Sequence, residues 1–176
     1  MDNDVERAIR SDLDAFHLPR FRDVPDVGLM LEQTARLVNG YLEPLGSIHL
    51  TSSMISNYVK QGIIARPVRK LYYREQIASL IFIAVAKTAL PLDDIKRMLL
   101  IQREVYEPAA AYDCFCAEFE QAIQRICLGG GEADDSHREA PVLKEMLVRL
   151  VSTTAHQIHL EKYVRLALGE LESEQG

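Results

Sequence analysis

Between Ile77 and Ala86 the chain carries ten residues that are apolar on almost every side of a helical projection, broken by Ser79 and stopped by Lys87. Ile77, Leu80, Ile81, Ala84 and Val85 recur at helical spacing, and Phe82 and Ile83 fill the face that an amphipathic helix would leave polar. A helix that is apolar all round needs protein on every side. The run is far too short to cross a bilayer, which takes about 20 apolar residues. It therefore predicts a central core helix over 74–89, around which the rest of a mostly α protein must wrap.

The remaining elements follow from spacing and punctuation. Residues 1–25 are polar, with Pro19 and Pro25, and read as an N-terminal arm with room for one short helix. Val27, Leu31, Thr34 or Ala35, Val38, Leu42 and Leu45 predict a helix over 26–45, ended by Pro44 and Gly46. A short helix follows from Thr51, with N-cap candidates Thr51, Ser52 and Ser53, a stripe of Ile55, Tyr58 and Val59, and Gly62 as its stop. Residues 65–73 read as extended, because Pro67 removes a backbone donor. Leu92, Ile95, Met98 and Leu99 mark a helix over 92–102, with Asp93 and Asp94 in its first turn. Helices over 108–128 and 141–171 complete the chain. The stripe of the last one holds Leu143, Leu147, Leu150, Thr154, Ile158, Val164 and Leu168. The Gly-rich, acidic residues 129–140 read as an exposed linker. This divides the chain into an arm (1–25), a head (26–106) and a helical packing and dimerisation region (107–176).

Charge separates one segment from all the others. The net charge of −6 divides into −4 over residues 1–50, +5 over residues 51–74 and −7 over residues 75–176. The middle segment holds Lys60, Arg66, Arg69, Lys70 and Arg74 and no acid. A basic window in an acidic protein points to an anionic partner. A short helix with a polar face fits the major groove, where its side chains meet base edges. Ser52, Ser53, Ser56, Asn57 and Lys60 supply such a face. Asn pairs bidentately with adenine, and basic residues beside the groove grip phosphate. Tyr58 and Tyr72 stand in two readings, as packed core residues or as hydroxyl donors to phosphate. Ser52 and Ser53 likewise stand as caps or contacts, and Arg74 as a phosphate contact or the start of a helix.

The run from Met54 to Leu100 resembles the head of MerR-type winged helix-turn-helix regulators. The resemblance rests on Tyr58, Gly62, Ile63 and Ile64 at the end of the second helix, then on Lys70, Leu71 and Tyr72 closing a basic wing. It continues in Ile77, Leu80, Phe82 and Ile83, and in Leu92, Asp93, Asp94, Ile95 and Lys96. Some positions depart from that pattern. Ser56 and Lys70 stand where the family has Arg, the wing is shorter, and about fifty residues, with a long first helix, precede the matching run. Lys keeps phosphate attraction but lacks the bidentate fork of Arg. The whole chain is also similar to an uncharacterised bacterial family known as a domain of unknown function, through Asn57–Gly62 and Tyr72–Ile77. The resemblance implies a winged helix-turn-helix head that binds double-stranded DNA in transcription regulation; paired half-sites would favour a homodimer, and no cofactor is expected. The alternative is a winged-helix module that docks another protein and leaves DNA alone.

Other chemistries find less support. Cys114 and Cys116 point to opposite sides of a helix, and Cys116 and Cys127 share a face about three turns apart. They read as small buried thiols. His156 and His159 share a face but lack further ligands at metal spacing, with Glu161 the nearest acid. No phosphate loop, nucleophile motif or paired-carboxylate scaffold is present, so an enzyme is not expected. An acidic N-terminus without an apolar stretch, and an odd number of cysteines, place the expectation in a reducing cytoplasm.

Overall fold

A computed structural model gives the fold and describes residues 2–129 and 141–174. Among these the chain is mostly helical, with seven α-helices: α1 Asp2–Leu13, α2 Leu31–Leu42, α3 Ser52–Lys60, α4 Arg74–Ala86, α5 Leu92–Val105, α6 Pro108–Cys127 and α7 Val142–Glu174. Most of the expected linker, residues 130–140, lies outside the described residues.

The all-apolar run becomes α4, and it is central. Gln76, Ile77, Ala78, Leu80, Ile81, Ile83, Ala84, Val85 and Ala86 are all buried, leaving little of the helix wet. It packs against α2 on one side and against α6 and α7 on the other. The two long helices α6 and α7 lie along each other in parallel. Lys144 meets Cys114 and Glu118, Arg125 reaches Ser152, and the Cys127 thiol contacts the Ala155 carbonyl, so both helices advance together.

The N-terminal segment is not a free arm. Val5, Ile9 and Leu13 recur every four residues and are buried against α6 and α7. Beyond α1, the backbone N–H of Leu18 donates to Glu120 at 2.8 Å, and that of Phe21 donates to Asp113 at 2.7 Å. The Arg20 guanidinium grips Glu120 with two bonds, at 2.9 and 2.7 Å. Two acids of α6 thus take up the free donors of a turn, which ties the first 25 residues to the C-terminal half. One continuous core joins all three of the expected regions.

Three further expectations change. The helix expected from residue 26 starts at Leu31, and Val27 is 67% exposed. Leu29 is held in an antiparallel bridge with Tyr72 instead, and Gly28 lies so close to Leu71 that an added Cβ would meet it at 2.8 Å. The wing is reduced to isolated bridges, Leu29 with Tyr72 and Val68 with Leu71, and no strand forms among the described residues. Pro67 cannot extend a ladder, and a two-residue turn leaves only one closing pair. On α7, Leu150, Thr154 and Ile158 are buried as expected, but Val164 and Leu168 face water, at 45% and 53% exposure.

Candidate nucleic-acid interface

α3 forms for local reasons. The Thr51 hydroxyl accepts the Met54 N–H at 3.1 Å, capping the first turn. At the other end Gly62 takes φ +68°, the Gly62 N–H donates to the Val59 carbonyl and the Ile63 N–H donates to the Tyr58 carbonyl. This is a Schellman close, which needs a left-handed residue where Gly sits. Ile63 and Ile64 then plug into the core.

Side chains from neighbouring helices fix α3 in place. Asn39 of α2 clamps the backbone ahead of it, donating to the Leu50 carbonyl and accepting the Leu50 N–H, both at 2.8 Å. From α5, Lys96 donates to the Gln61 carbonyl at 2.7 Å, and Arg103 donates to the Ile63 carbonyl at 3.2 Å. Lys96 bonds the C-cap carbonyl and Arg103 one just past the helix, at the end where positive charge is favoured. With Ile55 and Tyr58 buried, Ser53, Ser56, Asn57 and Lys60 form one exposed face at i, i+3, i+4 and i+7. Ser52 is half-buried, beside the cap. Asn57 Oδ1 accepts from Gln61 Nε2 at 3.1 Å, which leaves its amide hydrogens free to reach outward.

The basic stretch ends in a tight turn. Val68 and Leu71 exchange two backbone hydrogen bonds, at 3.0 and 2.9 Å, across Arg69 and Lys70. Both central residues are left-handed, with φ +50° and +68°. That is the signature of the type I′ hairpin turn, which favours Asn-Gly. The buried Gln76 secures the base of the turn: its Nε2 donates to the Ala65 and Arg66 carbonyls, and its Oε1 accepts the Tyr73 N–H. Arg66, Arg69, Lys70 and Lys60 are all exposed, and none forms an ion pair with a described residue. By contrast Arg20, Lys144 and Lys162 are each joined to a carboxylate.

Two sequence candidates leave the surface, and a third is half-buried with its guanidinium already engaged. Tyr58 is 1% exposed and Tyr72 4%, and burial raises both phenols above their ordinary range. Their rings complete the core under α3 and the turn, so they do not reach a partner. Arg74 turns inward, where its guanidinium donates to the Val24 carbonyl at 2.8 Å and to that of Arg22 at 3.3 Å, and lies over the Phe21 ring. It anchors the N-terminal segment to α4. Sequence reasoning missed Asn39, Gln76, Lys96 and Arg103 as the residues that hold the face. Only Gln76, a Gln three residues past the N-cap, carried a recognisable local signature.

The thiols and imidazoles lie elsewhere. Burial pushes Cys116 and Cys127 up to about 11. His156 Nδ1 lies 2.8 Å from its own helix's Ser152 carbonyl, and His159 lies 3.7 Å from Glu6. Among the described residues no group of three His, Cys, Asp or Glu side chains could hold a metal ion, and no helix is long and apolar enough to cross a membrane.

Fold and surface together define a mostly helical protein with one basic, acid-free segment presented around α3. The chain belongs to the family described as a domain of unknown function, DUF1836, whose model matches residues 19–115. The match begins in the segment pinned to α6, contains α2 to α5 whole, and ends inside α6. No curated protein and no solved structure matches the chain significantly.

Proposed function

We propose that the protein is a DNA-binding transcription regulator with a MerR-like helix-turn-helix head and a minimal wing. In this reading α2 and α3 form the helix-turn-helix. Ser53, Ser56, Asn57 and Lys60 meet base edges in the major groove, with Ser52 at the helix start. Arg66, Arg69 and Lys70 hold the flanking phosphates. The observation that carries the reading is the left-handed turn at Arg69 and Lys70. Two long basic side chains occupy positions where Asn-Gly is energetically preferred, and strained backbone of this kind gathers at functional sites. The four exposed cations that have no carboxylate partner among the described residues support it, since a phosphate ladder neutralises such charges. They belong to a segment, residues 51–74, that holds no acid in a chain of net charge −6.

The reading extends to a homodimer. Leu160, Val164 and Leu168 line one face of α7 at i, i+4 and i+8, exposed by 61%, 45% and 53%. A second copy across that seam would present two heads to paired half-sites.

The test is an electrophoretic titration against genomic fragments over a salt series. The triple variant Arg66→Ala, Arg69→Ala, Lys70→Ala should flatten the salt slope by roughly 2.7, at about 0.9 per phosphate contact. Asn57→Ala should instead erode discrimination at one base pair by roughly 1–3 kcal/mol. Salt-independent or absent DNA binding by the wild type sinks the reading and leaves the protein-docking module in its place.

A further inference from the structure

A cleft of about 720 Å³ opens between the head and the C-terminal half, lined from α4 and α5 on one side and α6 and α7 on the other. Protein interiors normally close-pack with few voids larger than a water molecule. This volume falls instead in the range of roughly 300–1,000 Å³ typical of small-molecule sites. Its walls are apolar and rich in rings. Phe82 and Phe115 meet edge to face with centroids 5.1 Å apart, and Tyr112, Leu99, Leu143 and Leu147 line the remainder.

Two cations reach this space, and they differ in what already occupies them. The Lys144 ammonium is bonded to the Glu118 carboxylate and lies 3.2 Å from the Cys114 sulfur. Arg103 is exposed, forms no ion pair with a described residue, and gives one N–H to the Ile63 carbonyl. A guanidinium has five donors, so most of its capacity remains free. The acid in the lining, Glu75, is exposed in the first turn of α4, where the helix N-terminus offsets its charge. The arrangement is an aromatic slot with, among the described residues, one available cation at its edge.

We propose that this cleft binds a small aromatic anion, its rings between Phe82, Phe115 and Tyr112 and its carboxylate or sulfonate on Arg103. The proposal does not rest on DNA binding. It concerns a separate site, and its test needs no DNA. Arg103 also holds the carbonyl just past the end of α3, so the same side chain joins the cleft to the head.

The test uses the full-length protein and two dyes of similar shape. One is 8-anilinonaphthalene-1-sulfonate, an aromatic anion, and the other is N-phenyl-1-naphthylamine, its uncharged counterpart. Both should saturate at a single site per chain. Arg103→Gln should weaken the anionic dye about tenfold, the loss of one charge-assisted hydrogen bond, and leave the neutral dye unchanged. Ala111→Phe, which fills the cleft from α6, should abolish both. Cys114 lines the same wall and is the one half-buried thiol, so in the wild type either dye should slow its reaction with an aromatic disulfide reagent. That measurement stands even where Ala111→Phe fails to fold. Binding of several dyes per chain with no protection of Cys114 overturns the site. An equal loss of both dyes on Arg103→Gln overturns the anionic class of ligand.

Discussion

Replacing Arg69 and Lys70 by Asn and Gly should make the protein more stable while weakening the DNA binding proposed for it. Both residues hold positive φ, at +50° and +68°. A left-handed conformation costs an ordinary L-residue about 1–2 kcal/mol, because Cβ crowds the following carbonyl. Asn tolerates that region and Gly is free of the clash, so Asn-Gly relieves most of the strain at both positions. Gly returns roughly 0.4–1 kcal/mol of the gain through its greater freedom in the unfolded chain. Both side chains are exposed, so little packing is lost, and the two Val68–Leu71 backbone bonds remain. The net expectation is a stabilisation of roughly 1–2 kcal/mol, or about 2–8 °C in Tm for a chain of this size. Arg66→Gln is the control, since it removes a nearby charge where the backbone is not left-handed. Thermal and urea unfolding followed by circular dichroism should show the gain for the double variant and none for the control. In the DNA titration the double variant should lose about 1.8 from the salt slope. A Tm equal to or below wild type would refute the strain argument, whatever the DNA result.

Asn39→Ala removes both bonds to the Leu50 backbone and should destabilise the protein by about 1–3 kcal/mol, read from the urea midpoint; an unchanged midpoint would mean that Asn39 does not position α3. Burial raises Cys116 and Cys127 from 9.0 to about 11, so their contribution to stability is intact below pH 9 and is lost as pH rises through 11. Each thiol contributes up to about 1.4 kcal/mol per pH unit in that window. Urea midpoints of a Cys116→Ala, Cys127→Ala variant should therefore fall less steeply between pH 9 and 11 than those of the wild type, and parallel curves would count against it. Leu160→Glu with Val164→Glu should leave a folded monomer by sedimentation at tens of micromolar, whereas an unchanged oligomer would place the homodimer contact away from this face of α7.

The parts of this protein that were legible in its sequence are those set by neighbours close along the chain. α3 starts at a hydroxyl cap, carries Ile55 and Tyr58 one turn apart and stops at Gly62, and each signal lies inside a dozen residues. α4 was legible because its residues leave no polar face. The exposed face of Ser53, Ser56, Asn57 and Lys60, and the solvated cations of the turn, follow from helical spacing and charge alone. The one short helix allowed for residues 1–25 is α1, but its burial was not legible, because Val5, Ile9 and Leu13 make only a three-residue stripe and the helices that bury it begin more than ninety residues further on. Tyr58, Tyr72 and Arg74 were ambiguous because each has an apolar body and a polar tip, and spacing does not say how deep such a side chain sits.

Sequence alone determined the mostly helical class, the helix that must be central and the basic window, because backbone propensity, caps and charge act locally. Tertiary structure decided the rest. It pinned the N-terminal segment to α6 through Glu120 and Asp113, and turned Arg74 inward to carbonyls at Val24 and Arg22. It also bent Arg69 and Lys70 into a left-handed turn that their own preferences oppose. That turn persists because the Leu29–Tyr72 bridge and Gln76 fix its ends, and those partners come from either side of the segment they constrain.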